Sequence, residues 1–352
     1  MGALKKHAFI AETILTENTT ISPQEKLITT LKPTEREVKG FSTIRQGSST
    51  NALTKIKATE GKTASIDTIT GEATIKSGNF IIKIPNYAQL KGLNTSTYQL
   101  LDAITISLTE SGAKEPTVVF TVDEYMKRRG LKDRKEARKQ LTADLDVLLK
   151  TSISWTEKRG KTELPYAGVN ITDSWIWADT KKTAIAYTFG QTFYNVLLGY
   201  PVMPYPSQLQ TLNSKRNPNS YYLLRKITEH KNMNIGKYNE DIIAVKTLLS
   251  YSPYIPSYDE VMKADRHLEQ RIKKPFERDL DALSDTLSWE YCHSKGVALT
   301  DEELANFSYD IFKDLYIHII WNDYPDQTAR LQRKAEAIEA RKRKAPRKKK
   351  AE

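Results

Sequence analysis

The sequence predicts an α+β protein made of two tandem copies of one small domain, flanked by a polar N-terminal arm and a basic C-terminal tail. Three observations carry that expectation: words that recur at a near-constant lag, helical and β-prone runs that follow in the same order after each recurrence, and basic charge concentrated in corresponding helices. "DLDVLLKTSISW" occupies residues 144–155 and "DLDALSDTLSW" residues 279–289. Upstream, "TVDEYMK" at 121–127 is echoed by "SYDEVMK" at 257–263. The lag is 136 residues at the upstream pair, 135 at the DLD pair and 134 at the Trp pair. Stacked repeat arrays have periods of ~20–50 residues, so a lag this long suits an internal duplication of a whole small domain.

Bulk properties bound the answer. A chain of 352 residues has room for two or three domains at roughly 100–200 residues each. Hydrophobic residues make up 39% and tyrosines number 18, enough for real cores. The single Cys292 excludes an intrachain disulfide framework and a cysteine-based zinc site, and it fits a reducing compartment. No apolar run approaches the ~20 residues of a membrane span. The start, MGALKKHAFIAETIL, turns acidic too soon for a signal peptide, and Lys6 stands where myristoylation needs Ser or Thr. The expectation is a soluble cytoplasmic protein with no membrane partner. Of the net charge of +11, the stretch 330–352 supplies 11 Lys/Arg against 3 Glu. Such a tail attracts any polyanion without choosing a sequence, so a nucleic-acid reading has to rest on the folded part.

Residues 1–78 are rich in Thr, Ser and Lys and show no sustained period, which reads as a partly disordered arm. Its stretch 54–79 either forms a hairpin or stays without order. Ordered structure is expected to begin at "NFIIKIP", closed by Pro85. A first domain is placed at 79–200, a second at 201–326, and a basic helix and tail at 327–352. The first opens with a helix capped by Asn94 or Thr95 and stopped by Ser111-Gly112. A small strand follows at "TVVF", then a short helix announced by a capping box, Thr121 with Glu124; Ser257 and Glu260 repeat that box. Gly130 ends the short helix. The next one carries Ala137, Leu141, Leu145 and Leu148 as one apolar stripe, aligned with Ile272, Phe276, Leu280 and Leu283. Pro275 should kink the second of these helices or move its start. Each DLD segment leads into a β-prone run ending in Trp155 or Trp289, expected to close equivalent strands and to sit in the core. In the first copy two more strands follow, joined by "DTKK", with Trp175 and Trp177 on one face. "NSYYLLRKITEHKN" should open the second domain as a helix with Tyr222, Leu223 and Ile227 inward. Short helix, turn, basic helix and hairpin, in that order, make a winged helix, so the predicted architecture is two tandem winged-helix domains.

The basic helices supply the candidate DNA-binding residues. In the first copy these are Lys132, Arg134, Lys135, Arg138 and Lys139; in the second, Arg266, Arg271, Lys273, Lys274 and Arg278. Lys158, Arg159 and Lys161 in the "EKRGK" turn, with Lys181 and Lys182, are wing candidates for phosphate. One basic helix would be read as a solvated face; two in corresponding positions, each followed by a wing, favour duplex DNA. Their side chains would divide into phosphate contacts that position and base-edge contacts that specify.

Catalysis finds little support. "EGKTAS" contains GKT, but a phosphate-binding loop needs Gly at position 56, where Ile56 stands. The five histidines, His7, His230, His267, His293 and His318, show no metal-binding spacing. Asp144 and Asp146 point to different faces of a helix and cannot jointly hold a metal; they are expected to cap, pair with cations or face solvent. Cys292 beside His293 is read as a chance neighbour. No catalytic residue, metal or cofactor is expected.

Two linked winged helices, a basic helix in each, and the segments "SYYLLRKITEHKNMN" and "RIKKPFERDLDAL" resemble the plasmid replication initiator (Rep) proteins of the tandem winged-helix class. The resemblance spans roughly residues 80–325 and departs from the pattern at Pro275. It implies binding of double-stranded DNA at directly repeated origin sites, opening of the adjacent duplex, and recruitment of the host initiator and replicative helicase. It also implies a homodimer that exchanges with a monomer, with one domain serving protein contacts and the other reading the site. The rival readings are a winged-helix transcription regulator or partition protein, an origin-nicking enzyme, and a protein-binding scaffold whose tail alone retains DNA.

Overall fold

The computed structural model describes residues 40–54, 64–77, 80–84, 93–112, 114–159, 162–264, 267–305 and 308–328, with short pieces at 331–332, 335–336 and 339. The described residues open with β1 (Phe41–Arg45), α1 (Ser48–Thr54), β2 (Ala64–Ile66), β3 (Ala73–Ser77) and β4 (Phe80–Ile84). Next come α2 (Thr95–Glu110), β5 (Thr117–Thr121), α3 (Val122–Arg129), α4 (Arg134–Lys150), β6 (Ser152–Arg159), β7 (Thr162–Asn170), β8 (Thr172–Trp177) and β9 (Ala184–Phe189). A connecting stretch holds α5 (Gln191–Leu198), β10 (Val202–Pro206) and α6 (Gln208–Thr211). The last part holds α7 (Ser220–Asn234), β11 (Ile242–Ala244), α8 (Val245–Ser250) and α9 (Tyr258–Ala264). A π-helical turn at Glu269–Lys273 runs into α10 (Lys274–Asp281), followed by β12 (Leu287–Cys292), α11 (Asp301–Ala305), α12 (Tyr309–Asp314) and β13 (Tyr316–Trp321).

A winged-helix-like order of helix, strand, helix, basic helix and two strands occurs twice. In the first unit α2, β5, α3 and α4 lead to β8 and β9, which pair as a sheet of order β5-β9-β8. In the second, α7, β11, α8 and α10 lead to β12 and β13 in a sheet of order β11-β13-β12. The two agree in detail at the strand-to-helix corner: Val122 N donates to Thr183 O and Val245 N to Leu315 O, each at 2.9 Å. Both valines are wholly buried.

Local chemistry explains the elements that the sequence foretold. Asn94 caps α2, its side chain accepting from Ser96 N and Thr97 N, and the Thr121–Glu124 capping box is closed on both sides. Gly130 ends α3 at φ 63, the left-handed region where a side chain would be strained. Ala137, Leu141, Leu145 and Leu148 are buried, as are Ile272, Phe276, Leu280 and Leu283. Pro275 does move the start of its helix: the preceding turn is π-helical and Pro275 sits in the first turn of α10, where its missing N–H costs nothing.

Three expectations change. Ordered structure is present before residue 79: Phe41, Ile44, Leu53, Ala73 and Ile75 are buried, β1 pairs with β10, and the 64–84 region supplies three strands of a five-stranded sheet of order β2-β3-β4-β6-β7. Next, Trp155 and Trp289 do not lie on equivalent strands. Trp155, on β6, is buried in the five-stranded sheet, stacked on Tyr166 at 4.5 Å; Trp289, on β12, is half-buried and donates to Asp281. The β6–β7 hairpin lies between α4 and β8 along the chain and pairs with the preceding strands through β4. Finally, "TVDEYMK" forms α3, directly after β5, whereas "SYDEVMK" forms α9, one helix beyond α8. Of the echoed words only DLD falls on corresponding elements. A repeated capping box marks a helix start, not which helix it is.

The two units share one hydrophobic cluster, and their first helices meet in it. Tyr98 of α2 stacks on Tyr221 of α7 at 6.1 Å. Beside them lies a buried ion pair, Asp102 of α2 with Arg225 of α7. Tyr205 and Tyr221 donate to the same carboxylate oxygen at 2.6 and 2.7 Å, and Gln210 donates to Tyr205 at 3.0 Å. The Asp102 carboxylate holds the Arg225 guanidinium well above its ordinary pKa despite burial, and burial raises both tyrosines well above theirs. Removing one partner of such a pair leaves an uncompensated charge, at a cost of about 3–5 kcal/mol. Asp102→Ala should lower the unfolding free energy by about that amount in urea titration, and Asp102→Ala with Arg225→Met should recover part of the loss. A loss confined to a few tenths in the single variant would show the pair to be dispensable.

Candidate nucleic-acid interface

The basic surface is built on α4. Asp133 caps the helix, accepting from Glu136 N at 3.0 Å, and the apolar stripe turns its other face to solvent. There Lys132, Arg134, Lys135 and Lys139 are exposed and Arg138 is half-buried. Arg134 pairs with Asp123 at 2.8 Å, both side chains well exposed. Among the described residues Lys132, Lys135, Arg138 and Lys139 form no ion pair with a carboxylate. Their charge is available to a ligand.

The β8–β9 turn lies at the same end of the unit. Asp179 accepts from Thr183 N at 2.8 Å, which leaves Lys181 and Lys182 exposed at the tip, Lys182 at φ 55. Thr183 O receives Val122 N at the start of α3, and the next residue, Asp123, holds Arg134 at the start of α4. The wing tip and the N-terminal end of the basic helix are thus two contacts apart. A helix end with unpaired cations beside a basic hairpin tip can bind a polyanion, and an α-helix has the width to enter a major groove.

The second unit arranges its charge differently. Arg271 and Lys274 are exposed, but Lys274 lies 3.7 Å from Glu269 and Lys273 lies 3.9 Å from Glu277. Arg278 is bound at 2.7 Å to the buried Asp279. Arg266 and Lys161 fall outside the described residues, as do the side chains of Lys158 and Arg159. The "EKRGK" turn joins β6 to β7 and so belongs to the five-stranded sheet, not to the wing.

The DLD words find their reason here. The first Asp of each is buried and binds the start of the unit's first helix. Asp144 accepts from Thr97 Oγ1 at 2.7 Å, Ser96 Oγ at 3.1 Å and Gln140 Nε2 at 3.1 Å. Asp279 accepts from Asn219 N at 2.9 Å and Asn219 Nδ2 at 2.7 Å, while Ser220 Oγ donates to Asp279 O. Each carboxylate thereby sets the angle at which the basic helix crosses its neighbour. Sequence reasoning allowed Asp144 a capping role but did not find its target; the polar pairs Ser96-Thr97 and Asn219-Ser220 at helix starts were the signal.

The remaining reactive groups are tied to the fold. Cys292 is buried, its thiol pushed up to about 11 by burial and by Glu290. His293 meets Glu303 at 3.1 Å, His318 meets Glu290 at 3.0 Å, and His230 contacts Asn239 O at 2.9 Å. Among the described residues no three His, Cys, Asp or Glu side chains come together as a metal site, and no helix is long and apolar enough to cross a membrane.

No family model and no curated protein matches the chain. Among solved structures it is similar to a crystal structure of domains 2 and 3 of RctB, at 11% identity and TM-score 0.44, covering 78% of this chain and all of that one. A second RctB structure, of domains 2-3, aligns at 11% identity and TM-score 0.39 over 74% and 93% of the two chains. The WH1 domain of MSBI1.176, described as a replication protein isolated from a multiple sclerosis patient, aligns at 15% identity and TM-score 0.25 over 36% and 90%.

Burial pushes the Asp144 carboxyl above its ordinary value of 3.8, against the donors Thr97, Gln140 and Ser96 and the charge of Arg129. A carboxyl raised in the folded state favours folding most below its unfolded pKa, and that contribution fades as pH rises through the folded value. The stability of the wild type relative to Asp144→Asn should therefore fall as pH is raised from 3.8 and then level off. Urea titrations across that range check this; a difference independent of pH would show an unperturbed carboxyl.

Proposed function

We propose that this protein is a sequence-specific double-stranded DNA-binding protein that initiates replication of a plasmid or mobile element. It binds repeated origin sites and recruits the host initiator and replicative helicase, and it does no chemistry of its own. The observation that supports DNA binding is the group Lys132, Lys135, Arg138 and Lys139, without a carboxylate partner among the described residues, with the Lys181–Lys182 turn at the N-terminal end of α4. The initiation step and the exchange between homodimer and monomer are carried by the resemblance of the chain to tandem winged-helix initiators. On this reading the recurring element order comes from duplication of one winged-helix unit, with the β6–β7 hairpin as a later insertion. The tail from Arg330 onward adds affinity without selectivity, through counterion release at phosphates.

Nuclease footprinting of the full chain on the DNA flanking its own gene, with excess random duplex as competitor, should protect a series of repeated sites. A circular DNA carrying those sites should then replicate in a host only when the chain is expressed. Protection without replication would assign the protein to transcriptional regulation or partition. Open circles with covalently attached protein, formed from supercoiled DNA and Mg²⁺, would replace the reading by an origin-nicking enzyme.

A further inference from the structure

The two basic helices differ in how their cations are paired. In the first unit Lys132, Lys135, Arg138 and Lys139 are unpaired among the described residues, and the connection between the last two strands ends in exposed Lys181 and Lys182. In the second, three cations at the corresponding place are already engaged. Arg278 is held by Asp279 through both Nε, at 2.9 Å, and Nη2, at 2.7 Å, and the same carboxylate is fixed by Asn219. Lys273 faces Glu277, which also accepts the Tyr291 hydroxyl at 3.0 Å, and Lys274 faces Glu269.

The connection between the last two strands reinforces the contrast. Between β12 and β13 the chain makes two short helices, α11 and α12, in place of a tight basic turn. Residues 293–315 carry Asp301, Glu302, Glu303, Asp310 and Asp314 against Lys295 and Lys313, and Lys313 is itself bound to Asp310 at 2.8 Å. An acidic segment beside an internally neutralised helix repels phosphate oxygens where the first unit attracts them.

We propose that the first unit supplies the phosphate contacts of the folded protein, through Lys135, Arg138, Lys139, Lys181 and Lys182, and that the second unit binds DNA with little release of counterions. Arg278 is then a positioning residue, holding Asp279 against the start of α7. This assignment rests on the DNA-binding reading above and says which half of the molecule carries it.

The salt dependence of binding separates the two units, because each lost phosphate contact lowers the slope of log K against log salt by about 0.9. The full chain and two variants would be titrated with a fluorescent random-sequence duplex over a salt series. Lys135→Ala, Arg138→Ala and Lys139→Ala together should reduce the slope by between about two and three. Lys273→Ala with Lys274→Ala should leave it within about 0.5 of wild type. In the converse experiment, Glu269→Gln with Glu277→Gln removes the two carboxylates that face Lys274 and Lys273 and should steepen the slope. Glutamine can still accept the Tyr291 hydroxyl, so the fold is kept. Equal losses of slope from the two alanine variants, a larger loss from the second unit, or no loss from either would overturn the assignment. A wild-type chain that fails to bind duplex at any salt would instead overturn the DNA-binding reading itself.

Discussion

The arrangement depends most on the buried contact between Asp102 and Arg225. A carboxylate and a guanidinium removed from water depend on polar partners, and here Tyr205 and Tyr221 donate to Asp102 and Gln210 donates to Tyr205, while Arg225 Nε is buried without a hydrogen bond. The residues come from α2, β10, α6 and α7, so the cluster exists only when both units and the segment between them are in place. Apolar packing alone would let the first helices slide or rotate on each other; a shared carboxylate admits one register. The stacked Tyr98 and Tyr221 rings extend that contact along the helices.

Within each unit a second buried carboxylate repeats the logic on a smaller scale. Asp144 and Asp279 tie the basic helix to the start of the first helix, so the angle of the solvent-facing side chains is set by hydrogen bonds and not only by the stripe of apolar residues beneath. The N-terminal segment adds a clasp. β1 pairs with β10, Thr43 N donates to Glu110 at the end of α2, Arg45 donates to Leu198 O and Tyr200 O, and Phe41 packs on Trp321 and Tyr324 at the far end of the second unit. A strand that touches both units in this way makes Phe41–Arg45 part of the scaffold.

Charge pairing gives the two halves different characters on similar frames. Of the cations on and just before α4 only Arg134 meets a carboxylate, that of Asp123, among the described residues, while Lys273, Lys274 and Arg278 each lie beside a carboxylate of their own segment. The sequence offers five candidate cations in each segment, and the geometry of their pairing separates the two sets.

Local features were legible from the amino-acid order alone. The cap at Asn94, the boxes at Thr121 and Ser257, the left-handed stop at Gly130 and the two apolar stripes each involve residues within a turn or two of one another, so their physics is written in the spacing. The displacement of a helix start by Pro275 was legible for the same reason. Strand partnership was not. Whether β6 joins the wing or the N-terminal strands depends on edges offered by segments far away in the chain, and "TSISW" and "TLSW" look alike while pairing in different sheets. Nor could spacing reveal that Asp102 meets Arg225 across 123 positions, or that Arg278 is held by a wholly buried Asp279. Short-range order determined which residues form helices and which faces are apolar or basic. Tertiary structure decided which strands pair, which charges neutralise one another and which remain free, because those outcomes depend on distances that only the folded chain sets.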